Sequence, residues 1–213
     1  SSGGHPIGFP LAAEKGWSHL SILAHGETWY RDVSLYGYFD RLVDEGFFED
    51  FDRVVFYGSE MGGYGATAFS VAAPGATVVA IQPVASLTSR RTPWDARFPG
   101  ARRMDFETRY GYAPEMVEGA AQAFIVYDPH QTVDAMHAAL FDRVPAEMLP
   151  CPYQGSRIEA EFEHMGLLQD LLELAGTGRL TRHSFYRLYR RRRESASYLR
   201  HLLDVLEEAD RPY

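Results

Sequence analysis

Short apolar runs alternate along this chain with segments that have helical spacing. Runs rich in β-branched and aromatic residues predict buried strands at 54–57 (VVFY), 77–81 (TVVAI) and 124–127 (FIVY). A run at 19–24 (HLSILA) predicts a strand before them, and 147–151 predicts a weaker one after them. Helices are predicted at 35–45, 132–141, 164–175, 182–190 and 195–208. This alternation predicts an α/β fold with a mainly parallel sheet of about five or six strands.

The length of 213 residues suits one domain with a sizeable core. We expect that domain to occupy residues 1–176, and an arginine-rich helical extension to occupy 177–213 and to pack on the domain or on a partner subunit. The long segment 87–120 is interrupted by prolines and glycines. It is expected to hold one or two short helices and to cover a site.

The segment 53–69 (RVVFYGSEMGGYGATAF) is the most informative stretch. Its apolar strand leads into Gly58, Gly62 and Gly63, after which small and apolar residues begin a helix. Glycines two before and two after a central residue have the spacing of a nucleophile elbow, a sharp turn that lifts the central side chain above the sheet. The central residue here is Glu60, where serine is usual, and Ser59 keeps a hydroxyl beside it.

The predicted strands end in polar residues, which include Glu60, Gln82 and Asp128. In parallel sheets the functional crevice lies at the carboxyl ends of the strands. The pattern therefore predicts the position of a site but not the reaction that takes place there.

The residues YGSEMGGYGA resemble the GxSMGG elbow of α/β-hydrolases, particularly of bacterial members related to accessory-secretion and capsule-associated hydrolase-like proteins. The resemblance covers about residues 17–166. It implies a triad in the chain order nucleophile, acid, histidine. The nucleophile position is then Glu60, the acid position is Asp128 and the histidine is His164. Asp134 is the competing acid, three residues before His137.

The same resemblance implies an oxyanion hole at the elbow, to which the backbone N–H groups of Met61 and Gly62 contribute. The second donor loop of this fold follows a strand upstream of the elbow, and only 18 residues precede HLSILA. Either the fold begins before residue 1 or the chain has no such loop. Loss of one oxyanion donor typically costs about 10²–10³ in rate.

Two functions stay open at this point. The first is a hydrolase of esters or related bonds that acts on a small-molecule ester or a glycan-derived substrate, with residues 87–120 as its lid. In it Asp128 orients His164, which activates a water or a nearby nucleophile, and Glu60 itself can act as a carboxylate nucleophile. The second is a catalytically inactive homologue in which Glu60 blocks the nucleophile site. Such a protein would act as a binding or scaffold protein in surface-polysaccharide or secretion processes.

Charge and composition limit the kinds of partner and the cellular location that we expect for this chain. The formal net charge of −8 argues against nucleic acid and against an anionic membrane surface. No apolar run approaches the roughly 18 residues of a membrane span. The single cysteine, Cys151, excludes an intrachain disulfide and fits a cytoplasmic protein. We predict no cofactor and no metal site, and we expect His130 and His137 to lie on the surface.

The carboxyl-terminal part combines a dense basic run, Arg187 and 190–193, with an apolar stripe at Leu199, Leu202, Leu203 and Leu206. An ion-paired surface or self-association explains this combination better than nucleic-acid binding does. The stripe must bury against the domain or a second subunit, which suggests a homodimer through the carboxyl-terminal helices.

Overall fold

The fold is known from a computed structural model, which describes residues 5–209. Its strands form one sheet in the order β1 (Val55–Ser59), β2 (Thr77–Ile81), β3 (Gln122–Tyr127) and β4 (Ala146–Pro150). Every neighbouring pair is parallel. The prediction of an α/β fold with a parallel sheet is confirmed, but the described residues contain four strands rather than five or six.

The missing strand is the predicted one at 19–24, which is irregular coil. Leu20 is 46% exposed and Leu23 is 79% exposed. Within residues 5–209, no backbone hydrogen bond joins this segment to the free edge of β1. An apolar run is not sufficient for a strand, because a strand also needs a partner for its N–H and C=O groups. The prediction of a strand at 19–24 was therefore wrong.

Helices flank the sheet on both faces. Their bounds are α1 (Phe9–Lys15), α2 (Val33–Asp44), α3 (Met61–Phe69), α4 (Ala113–Met116), α5 (Thr132–Leu140), α6 (Ile158–His164), α7 (Leu167–Gly176), α8 (Arg182–Tyr189) and α9 (Ala196–Ala209). The single helix predicted at 164–175 is interrupted at Gly166, which has a φ of 63°. None of the helices within the described range has the length and apolar character that a membrane crossing requires.

The sheet separates two apolar cores. Successive side chains of a strand point to opposite faces, so Val78 and Ala80 of β2 lie in the first core and Val79 and Ile81 lie in the second. The first core also contains residues of α2, α3 and the 87–120 segment. The second contains residues of α1, α6, α7 and α8. The 87–120 segment thus packs its apolar residues into the domain.

The carboxyl-terminal helices differ in how they are buried. Phe185 and Tyr189 of α8 are almost completely buried in the second core. On α9, by contrast, Leu199, Leu203 and Leu206 are 42%, 57% and 47% exposed. The apolar stripe of α9 is therefore open to solvent in the single chain.

Candidate functional site at the elbow

The chain turns sharply at Glu60, between the end of β1 and the start of α3. Its φ of 51° and ψ of −114° define a conformation that glycine adopts readily and that strains a residue with a side chain. The Glu60 N–H donates to the Ile81 carbonyl over 2.9 Å, and its carbonyl accepts from the Tyr64 N–H over 3.0 Å. These bonds fix the turn on both sides and leave the Glu60 side chain exposed at the carboxyl edge of the sheet.

The glycines of the elbow are required by the close approach of the backbone. A Cβ atom on Gly58 would lie 2.0 Å from the carbonyl oxygen of Gly62, and one on Gly63 would lie 3.1 Å from that of Ile81. A real Cβ atom cannot be placed at 2.0 Å, so a side chain at position 58 is excluded. The strand–turn–helix predicted from the glycine spacing is present.

The first turn of α3 presents backbone donors beside Glu60. The N–H groups of Met61 and Gly62 lie in the first turn of the helix, where no intrahelical acceptor exists. Ser59 is half-buried at the end of β1. The structure therefore brings Glu60, Ser59, Met61 and Gly62 together at one edge of the sheet.

A second carboxyl group lies near Glu60. Glu159 is in the first turn of α6, and its Oε1 accepts a hydrogen bond from the phenol of Tyr57 on β1. Burial raises the pKa of Glu159, and the negative charges of Glu60 and Glu163 raise it further, against the opposing effect of the Tyr57 bond. Burial likewise raises the pKa of Tyr57. A raised pKa favours the protonated form of a carboxyl group, and that form can donate a proton.

Asp128 binds backbone groups of two loops. The side chain is completely buried. Its Oδ1 accepts from the N–H of His130 over 2.9 Å and from that of Tyr153 over 3.2 Å, while Oδ2 accepts from the N–H of Gly155 over 2.7 Å. This carboxylate thus joins the loop after β3 to the loop after β4.

His164 is the last residue of α6 and is exposed. Among the residues that the structure describes, no hydrogen bond joins its ring to Asp128 or to Glu60. The predicted acid and histidine are therefore not in hydrogen-bond contact.

Sequence reasoning missed a buried polar network beside the site. The prediction that His137 lies on the surface was wrong, because the ring is completely buried on α5 and packs against Trp94. Its Nδ1 accepts from the Ala85 N–H over 3.2 Å, and its Nε2 donates to Asp95 Oδ2 over 2.8 Å. Both ring nitrogens are occupied, so this imidazole cannot serve as a general base without breaking a bond.

The network continues from Asp95 through Arg97 to Asp134. Arg97 contacts Asp95 at 3.0 Å and Asp134 at 2.6 Å. Gln82 then donates to Asp134 over 2.7 Å and accepts from the Ile158 N–H over 3.1 Å. The one signal in the sequence is that Asp134 and His137 lie three residues apart, which places them on one face of a helix.

Two surface cavities lie away from the elbow. One, of about 440 Å³, is lined by Arg182, His183, Tyr186, Arg187 and Arg190. The other, of about 330 Å³, lies at the amino ends of β3 and β4. Within residues 5–209 no group of three or more His, Cys, Asp or Glu side chains is arranged to hold a metal ion.

Comparison with protein-family models, with curated proteins and with solved structures finds no match to this chain. The resemblance to α/β-hydrolases therefore rests on the elbow residues of the chain itself. The fold and site together define an α/β protein with a parallel sheet and a strand–turn–helix elbow that presents a glutamate.

Proposed function

We propose that this chain is a hydrolase-fold binding protein that holds a small ligand at the elbow without triad catalysis. The observation that supports this most strongly is the environment of Asp128, whose buried carboxylate accepts three backbone N–H groups. A catalytic triad needs its histidine between the acid and the nucleophile. His164 is exposed at the far end of α6 and makes no such link among the described residues.

The elbow nevertheless has the features of a ligand site. Glu60 retains a strained backbone conformation, and such strain is concentrated at functional positions. Its exposed carboxylate accepts hydrogen bonds, while the N–H groups of Met61 and Gly62 donate them. A glycan-derived ligand suits this combination, because its hydroxyl groups both donate and accept.

A second function, hydrolysis by a pair of carboxyl groups, is favoured by the contact between Tyr57 and Glu159. In this alternative the Glu60 carboxylate either attacks the substrate carbon or takes a proton from a water that attacks it. The bond to the leaving group breaks as Glu159 protonates that group, and a covalent intermediate on Glu60 is then opened by water. Burial raises the pKa of Glu159, which favours its protonated, proton-donating form, while Glu60 is exposed at the elbow.

A hydrolysis screen separates the two functions. The screen compares wild type with three variants, Glu60→Ser, His164→Ala and Glu159→Gln. The substrates are p-nitrophenyl esters of several acyl lengths and p-nitrophenyl glycosides. Asp52→Asn, at an exposed position, serves as a control. We expect no turnover by wild type, in keeping with a binding role. Turnover that is lost in Glu159→Gln would establish the carboxyl pair instead. Turnover that is lost in His164→Ala would establish a triad.

We also propose a homodimer formed through α9, supported by the exposed leucines of its apolar stripe.

The resemblance of the elbow to that of α/β-hydrolases supports a role in bacterial surface-polysaccharide or secretion processes. The single cysteine, Cys151, which is buried and unpaired, supports a cytoplasmic location.

A further inference from the structure

One face of α8, together with Arg190 just after its last residue, forms a basic groove on the side of the domain. The groove is the cavity of about 440 Å³ lined by Arg182, His183, Tyr186, Arg187 and Arg190. Four of these five side chains are exposed, and Tyr186 is half-buried. Because the chain has a formal net charge of −8, this concentration of positive charge departs from the rest of the molecule.

The groove is held in place by contacts between α8 and the edge strand β4. Arg182 donates to the Met148 carbonyl over 2.7 Å and pairs with Glu147 at 2.7 Å. The Tyr186 phenol donates to the Pro150 carbonyl over 3.1 Å. Polar side chains of α8 thus cover carbonyl groups of the sheet edge. The basic face is fixed on the domain and is not a loose tail.

The charges in the groove are not all compensated. Arg182 pairs with Glu147. Arg187 and Arg190, by contrast, make no ion pair or side-chain hydrogen bond with any residue in the described part of the chain. The expectation of an ion-paired surface therefore does not hold at these two positions.

The chemistry of the groove favours phosphate. The planar guanidinium group offers paired N–H donors that match phosphate oxygens, and arginine binds them more specifically than lysine does. At 1.5 Å per residue, the helix places Arg182 and Arg190 about 12 Å apart along its axis, which leaves room for two adjacent phosphates. Burial raises the pKa of Tyr186 to about 12, so its ring stays neutral and offers an apolar surface.

We propose that the groove of α8 binds a small ligand with a diphosphate group, of the sugar-diphosphate or nucleoside-diphosphate class. Arg187 and Arg190 bind the phosphate oxygens, and Tyr186 contacts the rest of the ligand. This site is separate from the elbow and does not depend on the function proposed there.

The test is calorimetric titration of the full chain with inorganic pyrophosphate at low ionic strength. The variant Arg187→Ala/Arg190→Ala is compared with Arg90→Ala/Arg143→Ala, which removes the same charge at exposed positions outside the groove. We expect pyrophosphate to bind wild type and the control equally, and the groove variant to bind it at least tenfold more weakly. Circular dichroism verifies that both variants are folded.

Three results would overturn the proposal. The first is that pyrophosphate shows no saturable binding to wild type. The second is that both variants lose the same amount of affinity for pyrophosphate, which would indicate general charge attraction. The third comes from parallel titrations with a twenty-residue oligothymidylate and with phosphatidylglycerol vesicles. Tighter binding of either one through Arg187 and Arg190, without saturable binding of pyrophosphate, would assign the groove to a macromolecular partner.

Discussion

The Nε2 atom of His137 lies 2.8 Å from Oδ2 of Asp95, and both side chains are completely buried. The other ring nitrogen accepts from the Ala85 N–H, so the proton must be on Nε2. This pair resembles the acid and base of a triad in composition. Because neither nitrogen is free, its role is to fasten the loop after β2 to α5.

Removing the acid of this pair should destabilise the domain strongly. In Asp95→Ala, the buried N–H of His137 loses its acceptor and Arg97 keeps only Asp134, and a buried donor left without a partner costs about 1–3 kcal/mol. Urea unfolding of wild type and variant measures the loss. The exposed Asp52→Ala is the control, and it should change stability by less than about 0.5 kcal/mol. A loss of under about 1 kcal/mol in Asp95→Ala would contradict the structural role.

Stability should fall as the pH drops below about 6.5. Burial lowers the pKa of His137 in the folded state, whereas the unfolded chain takes up the proton near its ordinary pKa of 6.5. The unfolded state then binds more protons, so its free energy falls relative to the folded state. The pKa of Asp95 is also lowered, and its contribution is lost only in stronger acid.

The measurement is the free energy of unfolding between pH 5 and pH 8. His137→Gln, which does not titrate, should show a flatter dependence than wild type over this range. Equal slopes for the two proteins would show that His137 does not titrate differently in the folded and unfolded chains.

The sheet could be predicted from the sequence wherever a strand is buried on both faces. The prediction for β2 matches the structure at 77–81, because each of its residues is buried and the run contains no polar side chain beyond Thr77. Leu20 and Leu23 gave the same local signal, yet they are exposed. What differs is the presence of a neighbouring strand, which a local apolar pattern does not specify.

Only the part of the site that depends on local backbone geometry could be predicted from the sequence. The glycines around Glu60 identify the elbow, because they are sterically required within five residues of chain. Asp128 and His164 were assigned by chain order, which gives no information on the direction of a side chain. The two hydrogen-bond partners of His137 lie 42 and 52 residues earlier in the chain, and no spacing rule connects them to it.

Gly58→Ala should disrupt the elbow. The added Cβ would meet the Gly62 carbonyl at 2.0 Å, and backbone on both sides of the turn would have to move. We expect a loss of at least about 2 kcal/mol in the free energy of unfolding. Gly37→Ala is the matched control, since its Cβ meets nothing within 4 Å on the exposed face of α2. It should stabilise the protein by about 0.5–1 kcal/mol. Equal effects of the two changes would contradict the close packing at the elbow.

Glu60→Gly should stabilise the fold while weakening any function of the elbow. Glycine adopts the positive φ at this position without the strain of about 1–3 kcal/mol that a side chain imposes. Thermal unfolding should show a higher Tm for Glu60→Gly than for Glu60→Ala, which removes the carboxylate but keeps the strain. If the alanine variant were as stable as the glycine variant, the backbone at position 60 would not be strained.

The stripe on α9 should cause self-association. Leu199, Leu203 and Leu206 are exposed on one helical face, and burying them between two copies removes apolar surface from water. Sedimentation over a range of concentrations should show a dimer for wild type and a monomer for Leu203→Glu. Val43→Glu, at a 49% exposed apolar position on α2, is the control and should leave the dimer intact. A wild type that stays monomeric at all concentrations, or a Leu203→Glu variant that still dimerises, would rule out this face as the interface.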